Sequence, residues 1–170
     1  MIIVVFGLPG SGKSYFAQHL ARLLNAAYLS SDRIRREILE IRSYEASEKH
    51  RVYKEMFNRI PFALEHSKYV ILDASFSQKS TRKLLENISM QLGQEVSYIE
   101  IKADEEIIRE RVAKKRPFSE ADFAVYEKVK KLFDPLTEEH LILESKRDNL
   151  QEMLAISIDY LSLNHEAAAH

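Results

Sequence analysis

The stretch IIVVFGLPGSGKS, residues 2–14, decides how the rest of the chain is read. Five apolar residues, four of them β-branched, predict a short buried strand, and the glycine that follows predicts its end. Gly7, Gly12, Lys13 and Ser14 then match the pattern G-x-x-x-x-G-K-[ST] in its strand-to-helix setting. Three of the chain's four glycines fall inside this octet. A phosphate chain needs several backbone N–H groups pointing inward, a helix N-terminus behind them and no Cβ in the way. Gly7, Pro9, Gly10, Ser11, Gly12, Lys13 and Ser14, with Tyr15 just behind, are therefore the expected nucleotide-binding residues. In this pattern Lys13 neutralises β/γ-phosphate charge, and the Ser14 hydroxyl ligates Mg²⁺.

Downstream, short β-branched runs alternate with helical periodicities, as in parallel strands joined by crossover helices. The runs predict strands at 2–6, 27–30, 69–72, 96–101 and 141–144. Helices are predicted at 13–24, 32–41, 47–66, 80–92, 104–116, 120–133 and 149–163, with Pro61 expected to kink or split the third. The resulting fold class is α/β, a doubly wound open parallel sheet of five strands, with ligands beyond the carboxyl ends of the strands. One domain over residues 1–170 is expected, its last residues, 164–170, forming a patternless tail.

Composition narrows the function. A formal net charge of -1 and a pI near 6.6 provide no global attraction for nucleic acid or an anionic membrane, so a polyanion must be held by a local basic cluster. Cysteine is absent, which excludes disulfide scaffolds, thiol nucleophiles and cysteine-ligated metal centres and favours a cytoplasmic location. The six histidines show no metal-ligand spacing.

Other segments reach the same sheet edge. In YLSSDRIRRE, residues 28–37, Asp32 and Arg35 follow the second strand one helical turn apart. Transfer to a hydroxyl needs a carboxylate to orient the acceptor and take its proton, which nominates Asp32, while Arg35 can hold an acceptor phosphate. The bland alternative makes Asp32 a helix cap and sets the arginines on a solvated face. YVILDASF, residues 69–76, ends an apolar strand at Asp73, a second candidate for Mg²⁺ and for acceptor contacts, and Arg82 follows as an acceptor-side candidate. The basic run RERVAKKR, residues 109–116, offers Arg111 and Arg116 as cations of a lid closing over the nucleotide.

Taken together, GLPGSGKS, SSDRIRREI, VYKEMF, VILDASF with Arg82, RERVAKKR and SEADFAVYEKV resemble the P-loop kinases related to the kinase domain of phage-type 5′-hydroxyl polynucleotide kinase. Chloramphenicol phosphotransferase and zeta-toxin kinases share the general plan. The resemblance implies a three-layer nucleotide-kinase fold with a small helical lid near residues 109–125, and ATP and Mg²⁺ as cofactors. It also implies catalytic roles for Lys13, Asp32 and Arg111. The expected activity is transfer of the γ-phosphoryl group to a hydroxyl, either a 5′-hydroxyl nucleotide end or a small metabolite. Two alternatives stay open: an ATP-binding switch without acceptor chemistry, and a nucleoside monophosphate kinase that transfers to a phosphate.

Overall fold

The computed structural model describes residues 1–40, 45–114 and 122–167. Strand β1, Ile2–Phe6, is buried at every position, as its unbroken apolar run predicts for a strand covered on both faces. Around it lie β2 (Ala27–Ser30), β3 (Val70–Asp73), β4 (Val96–Lys102) and β5 (Leu141–Glu144), in the spatial order β2-β3-β1-β4-β5. Every pairing is parallel, and Ser30 of β2 and Val5 of β1 both lie in register with Asp73 of β3. The carboxyl ends of β1, β2 and β3 thus meet at one edge, where the chain order switches sides around β1.

Alternation along β1 divides the core. Ile2, Val4 and Phe6 point toward a cluster containing Val52, Met56, Ile60 and Leu85, from α3 (Ala46–Asn58), α4 (Ile60–His66) and α5 (Lys79–Gln91). Ile3 and Val5 point the other way, onto Phe16 and Leu20 of α1 (Lys13–Leu24) and Met153 and Leu161 of α8 (Leu150–Ala167). Each such fully buried aliphatic or aromatic side chain contributes about 2 kcal/mol of transfer free energy.

The break near Pro61 is a full split. Asn58 ends α3, and Pro61 falls in the first turn of α4, where its missing N–H removes no intrahelical bond. Helix α2, Ser31–Ile38, ends before the expected residue 41 because Leu39 turns extended. Helices α6 (Glu105–Ala113) and α7 (Phe123–Lys131) flank the segment expected to form a lid, of which residues 115–121 lie outside the described residues, and Asp122 caps α7 through a 2.9 Å bond from the Val125 amide. Arg109 of α6 stacks 3.7 Å above the Phe123 ring, and Lys130 bridges back to Glu105 at 3.1 Å. The tail expectation is corrected at its start, since α8 continues through Ala167.

Candidate active site

The phosphate loop leaves β1 at Gly7, whose φ of +147 and 2.3 Å approach to the Ile101 carbonyl, measured from where a Cβ would sit, admit glycine alone. At its far end Gly12 has φ +97 and a Cβ there would lie 2.8 Å from Ser145 Oγ and 3.0 Å from Arg111 Nη1. Gly12 is also the N-cap of α1, which has no side-chain cap and no acidic residue in its first turn. Its leading N–H groups and positive dipole end are left for an anion, with Lys13 as the first helical residue. The Lys13 ammonium points toward the Leu8 carbonyl at 3.5 Å, a distance too long for a strong bond.

Arg111 lies over this loop. Its Nη1 donates to the Ser11 carbonyl at 2.9 Å and its Nη2 to the Lys146 carbonyl at 3.0 Å. A cleft of about 510 Å³ opens here between α1, α6 and the turn after β5, with Gly12, Lys13, Tyr15, Arg111, Asn149 and Met153 in its lining. Tyr15 stands exposed on the rim. Asn149 fastens the turn by donating to the Glu144 carbonyl and accepting from the Lys146 amide, both at 2.8 Å. Arg116 lies outside the described residues.

Asp73 sits at the floor, 2% exposed. Burial raises its pKa, opposed by the Lys13 charge and by the hydroxyls of Tyr28 and Ser14. Tyr28 donates to Asp73 Oδ2 at 2.5 Å, and its own ionisation is pushed up by burial and by that carboxylate. Among the described residues, Asp73 Oδ1 is buried without a hydrogen-bond partner. An orphaned carboxylate oxygen facing a serine hydroxyl and a phosphate cradle fits a hard divalent cation such as Mg²⁺. Ser14 and Asp73 would hold it, the ion supplying charge neutralisation on phosphate oxygens when bound. No cluster of three histidine, cysteine or carboxylate side chains able to bind metal exists among the described residues.

The opposite wall starts at α2. Ser30 is the N-cap of α2, so Asp32 belongs to its first turn and is not the cap. Arg35 Nη1 donates to Asp32 Oδ1 at 2.8 Å and Arg35 Nε to Glu48 Oε1 of α3, also at 2.8 Å. Arg35 is thus paired with Asp32 and the buried Glu48 and is not set on a solvated face. One residue on, Lys49 donates to Ser77 Oγ at 2.9 Å, and Tyr53 stands within 3.4 Å of Ser75 Oγ.

Residues 75–77 form a tense loop after β3. Phe76 adopts φ +42, a left-handed conformation that costs a bulky side chain about 1–3 kcal/mol. It persists because the Tyr53 hydroxyl accepts from the Phe76 amide at 2.9 Å and the ring packs against Tyr53 and Phe57. Arg82 completes the lock. It is 2% exposed and donates to the carbonyls of Phe76 at 2.7 Å, Asp134 at 2.8 Å and Pro135 at 3.3 Å. The expectation of an acceptor-contacting Arg82 is thereby corrected: its guanidinium is consumed in joining the loop after β3 to residues 134–135.

A family profile described as AAA domain matches residues 2–136, most of the chain, including the phosphate loop, Asp32, Asp73 and Arg111. The chain belongs to the AAA domain family. It is 29% identical to a shikimate kinase of Corynebacterium glutamicum over 177 aligned positions covering 96% of this chain and 98% of the relative. Its fold is similar to that of Mycobacterium tuberculosis APS kinase CysC in complex with AMPPNP and APS, at a TM-score of 0.73 and 17% identity over 95% of this chain and 96% of the other. A gluconokinase of Sinorhizobium meliloti also reaches 0.73, at 15% identity over 99% and 97% of the two chains. No helix among the described residues is long and apolar enough to cross a membrane.

Several residues of this site escape a reading of the sequence. Glu48, Lys49, Ser75 and Ser77 lie in segments whose only local signal is helical periodicity or a turn. Ser145 and Asn149 follow the edge strand β5 in a turn that matches no site motif. Only Tyr28, adjacent to the Ser-Ser-Asp motif, carried a usable hint.

Proposed function

We propose that the protein moves the γ-phosphoryl group of ATP to a hydroxyl of a small acceptor, with Asp32 as general base. The observation that carries this reading is the placement of Asp32, held by Arg35, beside the Lys13–Ser14–Asp73 group, near enough for its charge to act on Asp73. The acceptor hydroxyl gives its proton to Asp32 as its oxygen bonds to the γ-phosphorus, and the bond from that phosphorus to the bridging oxygen of ADP breaks. Lys13 and Arg111 line the same cleft, and their charges would offset the charge that accumulates on the phosphate oxygens.

Support for a small acceptor comes from the names of the relatives, which act on shikimate, APS and gluconate. The resemblance to polynucleotide kinase keeps a 5′-hydroxyl nucleotide end as the second acceptor class. A net charge of -1 argues against long nucleic acid. A cytoplasmic enzyme supplied with ATP and Mg²⁺ accords with the absence of cysteine.

An acceptor screen with γ-labelled ATP and Mg²⁺ tests the reading, running sugar acids, polyols, nucleosides and 5′-hydroxyl oligonucleotides against enzyme alone. Label in at least one alcohol above the blank is expected. Tight ATP binding with every acceptor at blank level would replace this reading with an ATP-binding switch, and label transferred only to nucleoside monophosphates would replace it with phosphate-acceptor chemistry.

A further inference from the structure

We infer that Lys49 is the seat for an oxyanion on the acceptor, a phosphoryl, sulfuryl or carboxylate group carried near the reacting hydroxyl. This deepens the proposed function and rests on it for the identity of the bound molecule as an acceptor. Lys49 lies in the first turn of α3, half-buried, between Arg35 and the loop after β3. An ammonium has three N–H donors. One goes to Ser77 Oγ, and among the described residues no carboxylate lies within ion-pair distance of Lys49. Its immediate carboxylate neighbour in sequence, Glu48, instead pairs with Arg35.

The surroundings penalise this cation. Burial lowers the Lys49 pKa first, and the Arg35 charge lowers it further. A desolvated cation beside another cation, with no counter-charge of its own, is relieved by a bound anion. The scaffold holds it in place: Ser77 is 2% exposed, and its position follows from the left-handed Phe76, which Tyr53 and Arg82 lock from either side. Lys49 is therefore preset on a rigid support, on the same wall as Asp32 and Arg35. An anion seated on Lys49 would fix one end of the acceptor while Asp32 meets the hydroxyl at the other, so neutral polyols would lose the anchoring that orients them.

Calorimetric titration of inorganic phosphate, and separately of gluconate, into enzyme saturated with AMPPNP and Mg²⁺ tests the seat without turnover, because the phosphate loop is already filled. Saturable binding of at least one anion is expected, weakened on the order of 10-fold or more in Lys49→Gln, which keeps a donor for Ser77 but loses the charge. Lys49→Arg should retain it, and Lys54→Gln, on the exposed face of α3, should match the wild type. Which anion binds separates a phosphoryl from a carboxylate acceptor. Equal binding by wild type and Lys49→Gln, or no binding of either anion to the wild type, would overturn the inference. Should Lys49→Gln fail to fold, Ser77→Ala, which frees the ammonium from its support, is expected to weaken the same binding by several-fold. A blank acceptor screen together with Lys49-dependent anion binding would remove the proposed reaction and leave the seat.

Discussion

Arg35 grips Asp32 across one turn of α2, Nη1 to Oδ1 at 2.8 Å, while its Nε holds Glu48 of the next helix at the same distance. A carboxylate tied by one oxygen is oriented without being used up, since its other oxygen can still accept the proton of an incoming hydroxyl. Asp32→Asn preserves shape and the hydrogen bond from Arg35 but removes basicity. Phosphoryl transfer should fall about 100-fold or more while ATP affinity stays within about twofold. Transfer at the wild-type rate would eliminate Asp32 as the base.

Glu48 acts through Arg35. In Glu48→Gln the guanidinium loses a charged partner at a buried contact, at a cost of about 2 kcal/mol. Thermal unfolding should drop by roughly 4–8 °C, and the acceptor KM should rise while the KM for ATP stays constant. Equal movement of both KM values would show that Glu48 supports the whole fold and has no particular bearing on the acceptor wall.

Arg82 presents the opposite case. Arg82→Met removes the donor to three carbonyls in a buried position, at a cost of about 3 kcal/mol or more. Calorimetry should show unfolding lowered by roughly 6 °C or more, with ATP affinity intact. A variant of wild-type stability that had lost only acceptor binding would return Arg82 to direct contact with the acceptor.

Asp73 links function to pH. Its pKa is raised by burial, so the folded chain holds this proton more tightly than the unfolded one. Such a group stabilises the fold fully below its unfolded pKa, and that stability is withdrawn as pH rises through the folded value. Asp73→Asn escapes the withdrawal, so its melting temperature relative to wild type, without nucleotide or metal, should climb as pH rises above the ordinary aspartate range, about pH 4. The same variant should lose Mg²⁺-dependent ATP affinity, a stability gain bought with function. A melting difference independent of pH would contradict the burial of a charged Asp73.

How much of this was legible in the chain depends on how local each determinant is. The strand, phosphate loop and helix around GLPGSGKS are specified by neighbours within a few residues, through β-branched burial and glycine geometry, and the structure reproduces those boundaries. The parallel α/β class followed from alternation alone. Asp32 and Arg35 were legible as a pair because one helical turn separates them. Helix ends were less so: α2 stops at Ile38, and the break between α3 and α4 takes its form from Pro61 sitting in a new first turn.

The sequence by itself determined the nucleotide cradle, the class of sheet and the carboxylates at the ends of β2 and β3. Tertiary structure decided what those carboxylates face. Pairing of β2 with β3 sets Ser30 level with Asp73, and the packing of α3 brings Glu48 to Arg35 and Lys49 to Ser77, contacts spanning 13 and 28 residues. Arg82 is indistinguishable from a surface arginine until carbonyls more than fifty positions away fold over it. A charged side chain can be buried only where partners converge on it, and convergence of distant segments is a property of the assembled fold, which no local pattern encodes.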